Sequence, residues 1–312
     1  MNATGINASE RPNQGLGHDR QEIPAILAVL LALTITLIVV LNPLCLLVLH
    51  RARGIQETTK MFLASLTISD ICNGIFTAVP ELISLLLKRW PFGEFSCRML
   101  GGVYITVPTI NFLSLLLLTI DRFIAIVHAL HYPRLMTPKR SKVLIAITWA
   151  LPTLYLIPYG LIGGQLQVTV RSFCILFQCD VCYYLHVCLC MVTLGIILAL
   201  YLWILKVARN QARLIANQDR VANPPEGQRA PQPISTKSAT TVILITGTLF
   251  LCWTPIPVAM LVMPLHVTAR RGSVFILTVI AFCTNNWMNG LIYYWRNREL
   301  RQALHGLFHC CC

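Results

Sequence analysis

Residues 97–123 read CRMLGGVYITVPTINFLSLLLLTIDRF, with no Asp, Glu, Lys or Arg between Met99 and Ile120. An uninterrupted apolar run of this length predicts a helix that crosses a bilayer. At 1.5 Å per residue the helix from Cys97 to Arg122 measures about 38 Å, longer than the roughly 30 Å hydrocarbon core. The Cys97 thiol therefore emerges at one face of the membrane and the Asp121-Arg122 pair at the other.

The rest of the chain agrees with a membrane protein. Of 312 residues, 56% are hydrophobic and only 12% charged, and the mean hydropathy is +0.66. A soluble chain of this size cannot hide that much apolar surface. The net charge of +13 suggests nucleic acid as a partner. However, the bases sit between apolar runs, where a membrane protein keeps its cytoplasmic charge, so no nucleic-acid partner is expected. The 13 cysteines form no spaced metal framework, and most lie inside apolar runs as buried thiols. The opening, 1–22, is polar and mixed in charge and does not read as a secretory signal.

Seven runs are long enough to span: 23–49, 61–87, 99–127, 143–163, 181–205, 239–265 and 273–295. The second is unusual in carrying Asp70 and Glu81. Two glycosylation sequons, at Asn2 and Asn7, are confined to the polar N-terminus and predict that this end faces outside. Seven crossings then put the C-terminus inside. By the same orientation 17 of the 25 Lys and Arg residues fall in inner segments, as the positive-inside rule requires. The expected organisation is an extracellular tail over 1–22, a seven-helix bundle over 23–295 and a membrane-surface segment over 296–312, in the plasma membrane. The basic, proline-interrupted stretch 206–237 reads as a linker between two helices that extend past the membrane. Leu300, Leu304, Leu307 and Phe308 fall at helical spacing among basic neighbours, predicting a short helix on the inner leaflet. Cys310, Cys311 and Cys312 stand where acyl groups would tie it to membrane lipid, with an unmodified thiol cluster as the alternative.

Single matches to a known pattern recur along these runs. They are Asn42; the Leu66-Thr67-Ile68-Ser69-Asp70 stretch; Trp90-Pro91-Phe92-Gly93 before Cys97; Asp121-Arg122-Phe123; Trp149; Tyr201; Cys252-Trp253-Thr254-Pro255; and Asn289-Gly290-Leu291-Ile292-Tyr293. In this order, over seven spans, the chain resembles the rhodopsin-like (class A) G-protein-coupled receptors across nearly its whole length. Three departures stand out. Phe123 replaces the tyrosine after the arginine, Gly290 replaces the seventh-helix proline, and Thr193 stands where a fifth-helix proline is expected. Proline loosens a membrane helix by removing a backbone hydrogen bond, so the bends that assist activation are expected to differ here.

The resemblance implies roles. Asp121 would hold Arg122 at rest and release it toward Tyr201 and a heterotrimeric G protein. Tyr293 and Asn289 would belong to the same switch, and Trp253 with Pro255 would form the pivot of the sixth helix. The sixth-helix acidic partner of the arginine is missing, since Ser235, Thr236 and Lys237 occupy that region, so measurable basal signalling is expected. Asp70 with Asn111, Asn285 and Asn289 would hold an allosteric Na⁺, the alternative being a hydrated network without an ion. Cys97 would pair with a cysteine of the second outer loop. Cys174 is the choice and Cys179 the alternative, with Cys182 at the membrane edge, because spacing does not separate them.

The implied extracellular-ligand pocket comprises Glu81, Tyr104, Ile105, Pro108, Trp253, Ile256, Met260 and Phe282. Receptors of this family that bind monoamines carry an Asp eighteen residues before the arginine. Tyr104 stands there, so an amine held in that manner is not expected. Glu81 either meets a cationic ligand or pairs with Lys88 or Arg89 at the membrane edge, and the otherwise apolar wall also suits lipid-like ligands. A small molecule or short peptide is expected, given the short N-terminus. After Cys312 no tail offers Ser or Thr, so arrestin recruitment through a phosphorylated tail is expected to be poor. No catalytic constellation is visible. The rival readings are an orphan or chemosensory-like receptor with constitutive signalling, or a secondary transporter, which would need an internal repeat and broken helices that the chain lacks.

Overall fold

The structure, a computed structural model, describes residues 25–52, 54–154, 156–157, 180–222, 248, 251–255, 258, 269–296 and 298–309. Among these, regular structure is helical throughout, as hydrocarbon demands, because only internally bonded backbone is stable there. The helices are α1 (Ala25–Arg51), α2 (Glu57–Asn73), α3 (Val79–Leu87), α4 (Gly93–Val127), α5 (Tyr132–Leu135), α6 (Pro138–Thr153), α7 (Asp180–Ala222), α8 (Ala269–Arg296) and α9 (Arg298–His309). A π-turn over Gly74–Ala78 joins α2 to α3, making one continuous rod. Four rods among the described residues are long and apolar enough to cross a membrane: Ala25–Arg51, Glu57–Leu87, Gly93–Val127 and His186–Gln211.

α4 is the central element, packing on α2, α6 and α7, while α1 packs on α2, α8 and α9. The main apolar cluster among the described residues includes Ile38, Phe62, Leu66, Phe112, Leu115, Leu118, Tyr201, Trp253, Phe282 and Leu300. Large apolar side chains also stay exposed on the outer faces, among them Val29, Leu33, Leu151 and Val192. A hydrocarbon solvent imposes no cost on such a surface.

Two turn details fix the ends of α3 and α4. Lys88 caps α3 in the left-handed region at φ 54°. Gly93 opens α4 at φ +81°, which favours glycine, and its carbonyl accepts from Trp90 Nε1 at 2.8 Å. Trp90 thereby lies against Cys97.

The boundaries sharpen the sequence reading. Lys206–Ala222 continues α7 as helix, so the inner stretch is not linker from 206 onward. α7 runs unbroken past Thr193, whose hydroxyl donates to the Leu189 carbonyl at 2.8 Å, and α8 runs unbroken through Gly290. Asn42 Nδ2 donates 3.1 Å bonds to the carbonyls of Ile38 and Asn286, tying α1 to α8.

Gly74 marks the tightest approach of α1 to the second rod. A Cβ built there would lie 2.8 Å from Ile38 Cγ2, inside any normal contact, and that methyl belongs to a stiff β-branched side chain. Gly74→Ala should lower stability by about 1–3 kcal/mol, read as a lower thermal unfolding midpoint of the purified protein. Adding Ile38→Ala, which removes the obstructing methyl, should cost less than the two single losses summed, whereas Ile38→Val should give no such relief. Additive losses would disprove the clash.

Candidate functional site

At the end of α4 opposite Cys97, Asp121 is wholly buried and accepts from three directions. Thr59 Oγ1 of α2 donates at 2.8 Å, Tyr132 hydroxyl of α5 at 2.6 Å, and Arg122 Nη2 at 2.7 Å. Arg122 also donates through Nε at 3.1 Å and reaches Thr59 Oγ1. A third hydroxyl, Thr58 Oγ1, lies 2.7 Å from that of Tyr132. Burial, then the bond to Asp121, pushes the Tyr132 hydroxyl pKa up, keeping it a proton donor. The arginine is thus folded back onto its neighbouring carboxylate, with its side chain still 39% exposed. Phe123 turns to α7 and meets the Trp203 ring edge-on at 5.6 Å. Tyr201, two residues before Trp203, is buried in the core. Tyr293 lies on α8.

Halfway along the bundle Asp70 is buried between α2, α4 and α8. Asn111 Nδ2 donates to its Oδ1 at 2.5 Å and Asn289 Nδ2 to its Oδ2 at 3.4 Å. Asn111 Nδ2 also reaches Ser69 Oγ at 3.1 Å. The structure therefore brings three of the four expected residues together. Asn285 is buried, and its Nδ2 has no hydrogen-bond partner among the described residues; Asn111 Oδ1, Asn73 Nδ2 and both polar atoms of Asn286 share that condition.

Trp253 sits between two rings, Phe112 at 3.6 Å between centroids and Phe282 at 4.5 Å in an edge contact. Pro255 follows, half-buried. Toward the Cys97 end, Glu81 is 3% exposed and accepts from the Tyr104 hydroxyl. The alternative of a pair with Lys88 or Arg89 is set aside, since both lie exposed beyond α3 while Glu81 is turned inward to α4. Ile105 and Pro108 are buried in α4. On α7, His186 Nδ1 lies 3.4 Å from Thr109 Oγ1.

Several expectations fall elsewhere. Ile256, Met260, Asn2, Asn7, Cys174, Cys179, Cys310, Cys311, Cys312, Ser235, Thr236 and Lys237 lie outside the described residues. Cys97 is disulfide-bonded. Sequence reasoning missed Thr58, Thr59, Tyr132, Phe112, Asn73 and Asn286. Hydroxyls and amides carry no periodic signal of their own, and only helix register brings them to the site.

A bundle of membrane rods with a folded-back Asp-Arg pair at one end and a buried carboxylate at its middle is the build of a signalling receptor. The match of residues 41–293 to the 7 transmembrane receptor (rhodopsin family) model makes the assignment: the chain belongs to the rhodopsin-like G-protein-coupled receptors, seven-helix membrane receptors and not enzymes. It is similar to the allatostatin-A receptor of Bombyx mori, at 23% identity over 86% of this chain and 75% of that one. Similarity to the histamine H2 receptor of Cavia porcellus is 25% over 91% and 79%. To the probable G-protein coupled receptor 45 of Homo sapiens it is 28% over 96% and 86%.

Tyr132→Phe removes one of the three donors to a fully buried carboxylate, a bond of the charge-assisted kind worth about 1.5–3 kcal/mol. The unfolding midpoint of the purified receptor should fall accordingly. An unchanged midpoint would show that the Asp121 network does not depend on this hydroxyl.

Proposed function

We propose that the protein is a plasma-membrane receptor that binds an extracellular ligand at its Cys97 end and activates a heterotrimeric G protein at its Arg122 end. Its N-terminus is outside and its C-terminus inside. The observation that carries this reading is the closed network of Asp121, Arg122, Thr59 and Tyr132. It is a two-state element, because a half-exposed guanidinium held by one buried carboxylate has somewhere else to go. Opening exchanges those bonds for contacts with Tyr201 and the transducer, and Trp253, wedged between Phe112 and Phe282, passes ligand contact to the sixth span.

Two details refine it. The ligand end offers Glu81 with Tyr104 on one side and Thr109 with His186 on the other, among apolar walls. This supports a small molecule or short peptide with at least one hydrogen-bond donor or cationic group, rather than a wholly apolar lipid. Relatives named for allatostatin-A and for histamine leave the ligand class open. At Asp70, a carboxylate, the unpartnered Asn111 Oδ1 and the neighbouring amides form the hard-oxygen surroundings that suit Na⁺. When bound, Na⁺ would supply the positive charge that lets Asp70 stay ionised and favours the resting state. Asp70, Asn111 and Asn289 would hold it, and Asn285 is buried one turn from Asn289 on α8. Cys310–Cys312 would carry acyl groups that fix α9 to the inner leaflet.

Ligand-free nucleotide exchange on a panel of Gα subtypes tests the reading. Wild type should exceed mock-transfected cells with at least one subtype. Arg122→Ala should abolish that signal, and Thr59→Val, which loosens the resting network, should raise it several-fold. One kcal/mol off the closed state is worth about fivefold in the open population. A signal indifferent to Arg122→Ala at equal surface expression would rule out this switch, and measurable solute flux would favour a transporter.

A further inference from the structure

Where α1, α8 and α9 meet, their packing leaves a cleft of about 140 Å³. Leu44, Cys45 and Val48 of α1, Gly290 of α8, and Leu300 and Leu304 of α9 line it. Its walls are almost wholly apolar, and Leu291 at its edge is exposed, so it opens toward lipid. Glycine at 290 contributes to the space. A Cβ there would lie 3.6 Å from Cys45 Cβ and 3.7 Å from its Sγ, in ordinary contact across the gap. An apolar hollow of roughly 150 Å³ stays dry and takes up small apolar molecules. At roughly 30 Å³ for a water-sized group, this one holds about five methylenes. That suits the end of a single hydrocarbon chain and is too small for a fused-ring sterol.

The chain itself carries attachment points for such a hydrocarbon within reach. Leu300 and Leu304 step by four along α9, and the next step is position 308, two residues before Cys310. From Leu304 to His309 is about 8 Å along the helix axis. An acyl chain extends over about half of the roughly 30 Å hydrocarbon core, or about 15 Å. One attached beside His309 and running back beneath α9 reaches Leu304 with about 7 Å to spare, enough to fill the cleft.

We infer that this cleft seats the end of an acyl chain carried at Cys310, Cys311 or Cys312, which makes that chain an internal ligand of the bundle as well as an anchor. The inference rests on the acylation of these cysteines proposed above. Acylation is a thioester exchange: the cysteine sulfur attacks the carbonyl carbon of an acyl-thioester donor. A new C–S bond forms as the old one breaks, and the donor's thiol leaves with the cysteine's proton. Seated in the cleft, the chain touches α1, α8 and α9 together. Gly290 follows Asn289, which bonds Asp70, so the chain braces α8 beside its link to mid-bundle. S-acylation is reversible, so the brace can be added and withdrawn.

Photocrosslinking of the full-length receptor in cell membranes tests the seat. Cells are fed a palmitate analogue with a diazirine at its ω-end and irradiated, and the monomeric receptor is digested and mapped by mass spectrometry. Thioester-linked label should appear on residues 310–312, with its far end joined to α1 within 41–48 or to α8 within 290–294. Leu44→Trp, which fills the cleft, should remove most of these cross-links while the thioester stays intact. Leu304→Trp serves the same purpose if Leu44→Trp does not reach the membrane. Changing Cys310, Cys311 and Cys312 together to Ser should abolish the cross-links. Cross-links that persist in that variant would mean the cleft takes the tails of membrane lipids, and would overturn the tethered chain. Label on the cysteines with no cross-link to α1 or α8 would overturn the seat and leave acylation standing. No label on the cysteines would overturn acylation and this inference with it.

Discussion

The second rod and α4 are joined by a ladder of polar bonds, and the bundle depends on it. Thr59 reaches Asp121, Ser65 lies 3.2 Å from Ser114, Asp70 takes Asn111, and Glu81 takes Tyr104. Numbers rise on one strand of the ladder as they fall on the other, the register of two antiparallel helices packed along their full length. All three buried carboxylates of these rods lie on it. A charge in hydrocarbon is costly unless paired, so each rung both removes a penalty and fixes an alignment that apolar packing alone would leave free to slide. Trp149 Nε1 donates to Ser65 Oγ at 3.0 Å and attaches α6 to the same ladder.

Trp253 and α7 also meet the bundle through contacts of another kind. Trp253 is held by rings, and α7 meets α4 through Phe123 on Trp203 and through Thr109 near His186. Ring contacts tolerate rotation and sliding far better than a short bond to a carboxylate. Arg122 lies between the polar ladder on one side and the ring contacts of α7 on the other. Thr193 and Gly290 stand where prolines are expected. With no proline at these points, α7 and α8 keep the backbone hydrogen bond that a proline would remove.

Much of this was legible in the sequence. Uncharged runs gave the spans, because hydrocarbon thickness sets a length that composition reveals. Asp70, Glu81, Asp121 and Arg122 were visible for a similar reason, each being a charge in or beside a run that otherwise excludes it. The helix at Leu300 and Leu304 was legible from its spacing. What the residues hid was partnership. Nothing distinguishes Thr59 or Tyr132 from other hydroxyls, and Asn73 and Asn286 look like tolerated polar residues until the fold buries them completely. Glu81 shows the limit best, since its neighbours in sequence, Lys88 and Arg89, suggested an ion pair, while its partner Tyr104 is twenty-three residues on, across a turn. The fifth helix was expected to extend past the membrane and does so as far as Ala222; only the start of the linker lies later than the 206 that composition suggested.

The ladder also bears on how the chain is made. A segment carrying Asp70 and Glu81 is a poor candidate for insertion alone, since each ionised side chain near mid-membrane adds about 2.5–3.5 kcal/mol on translocon scales. The groups that relieve both charges lie on α4, the very next rod to be synthesised. The turn between them, from Lys88 to Phe92, is short. The second and third crossings can thus leave the translocon as a hairpin, with Asn111 and Tyr104 already opposite their carboxylates. Biogenesis of this receptor then has its delicate moment early, before the sixth and seventh spans exist, and the polar rungs serve the ribosome-bound intermediate before they serve the finished protein.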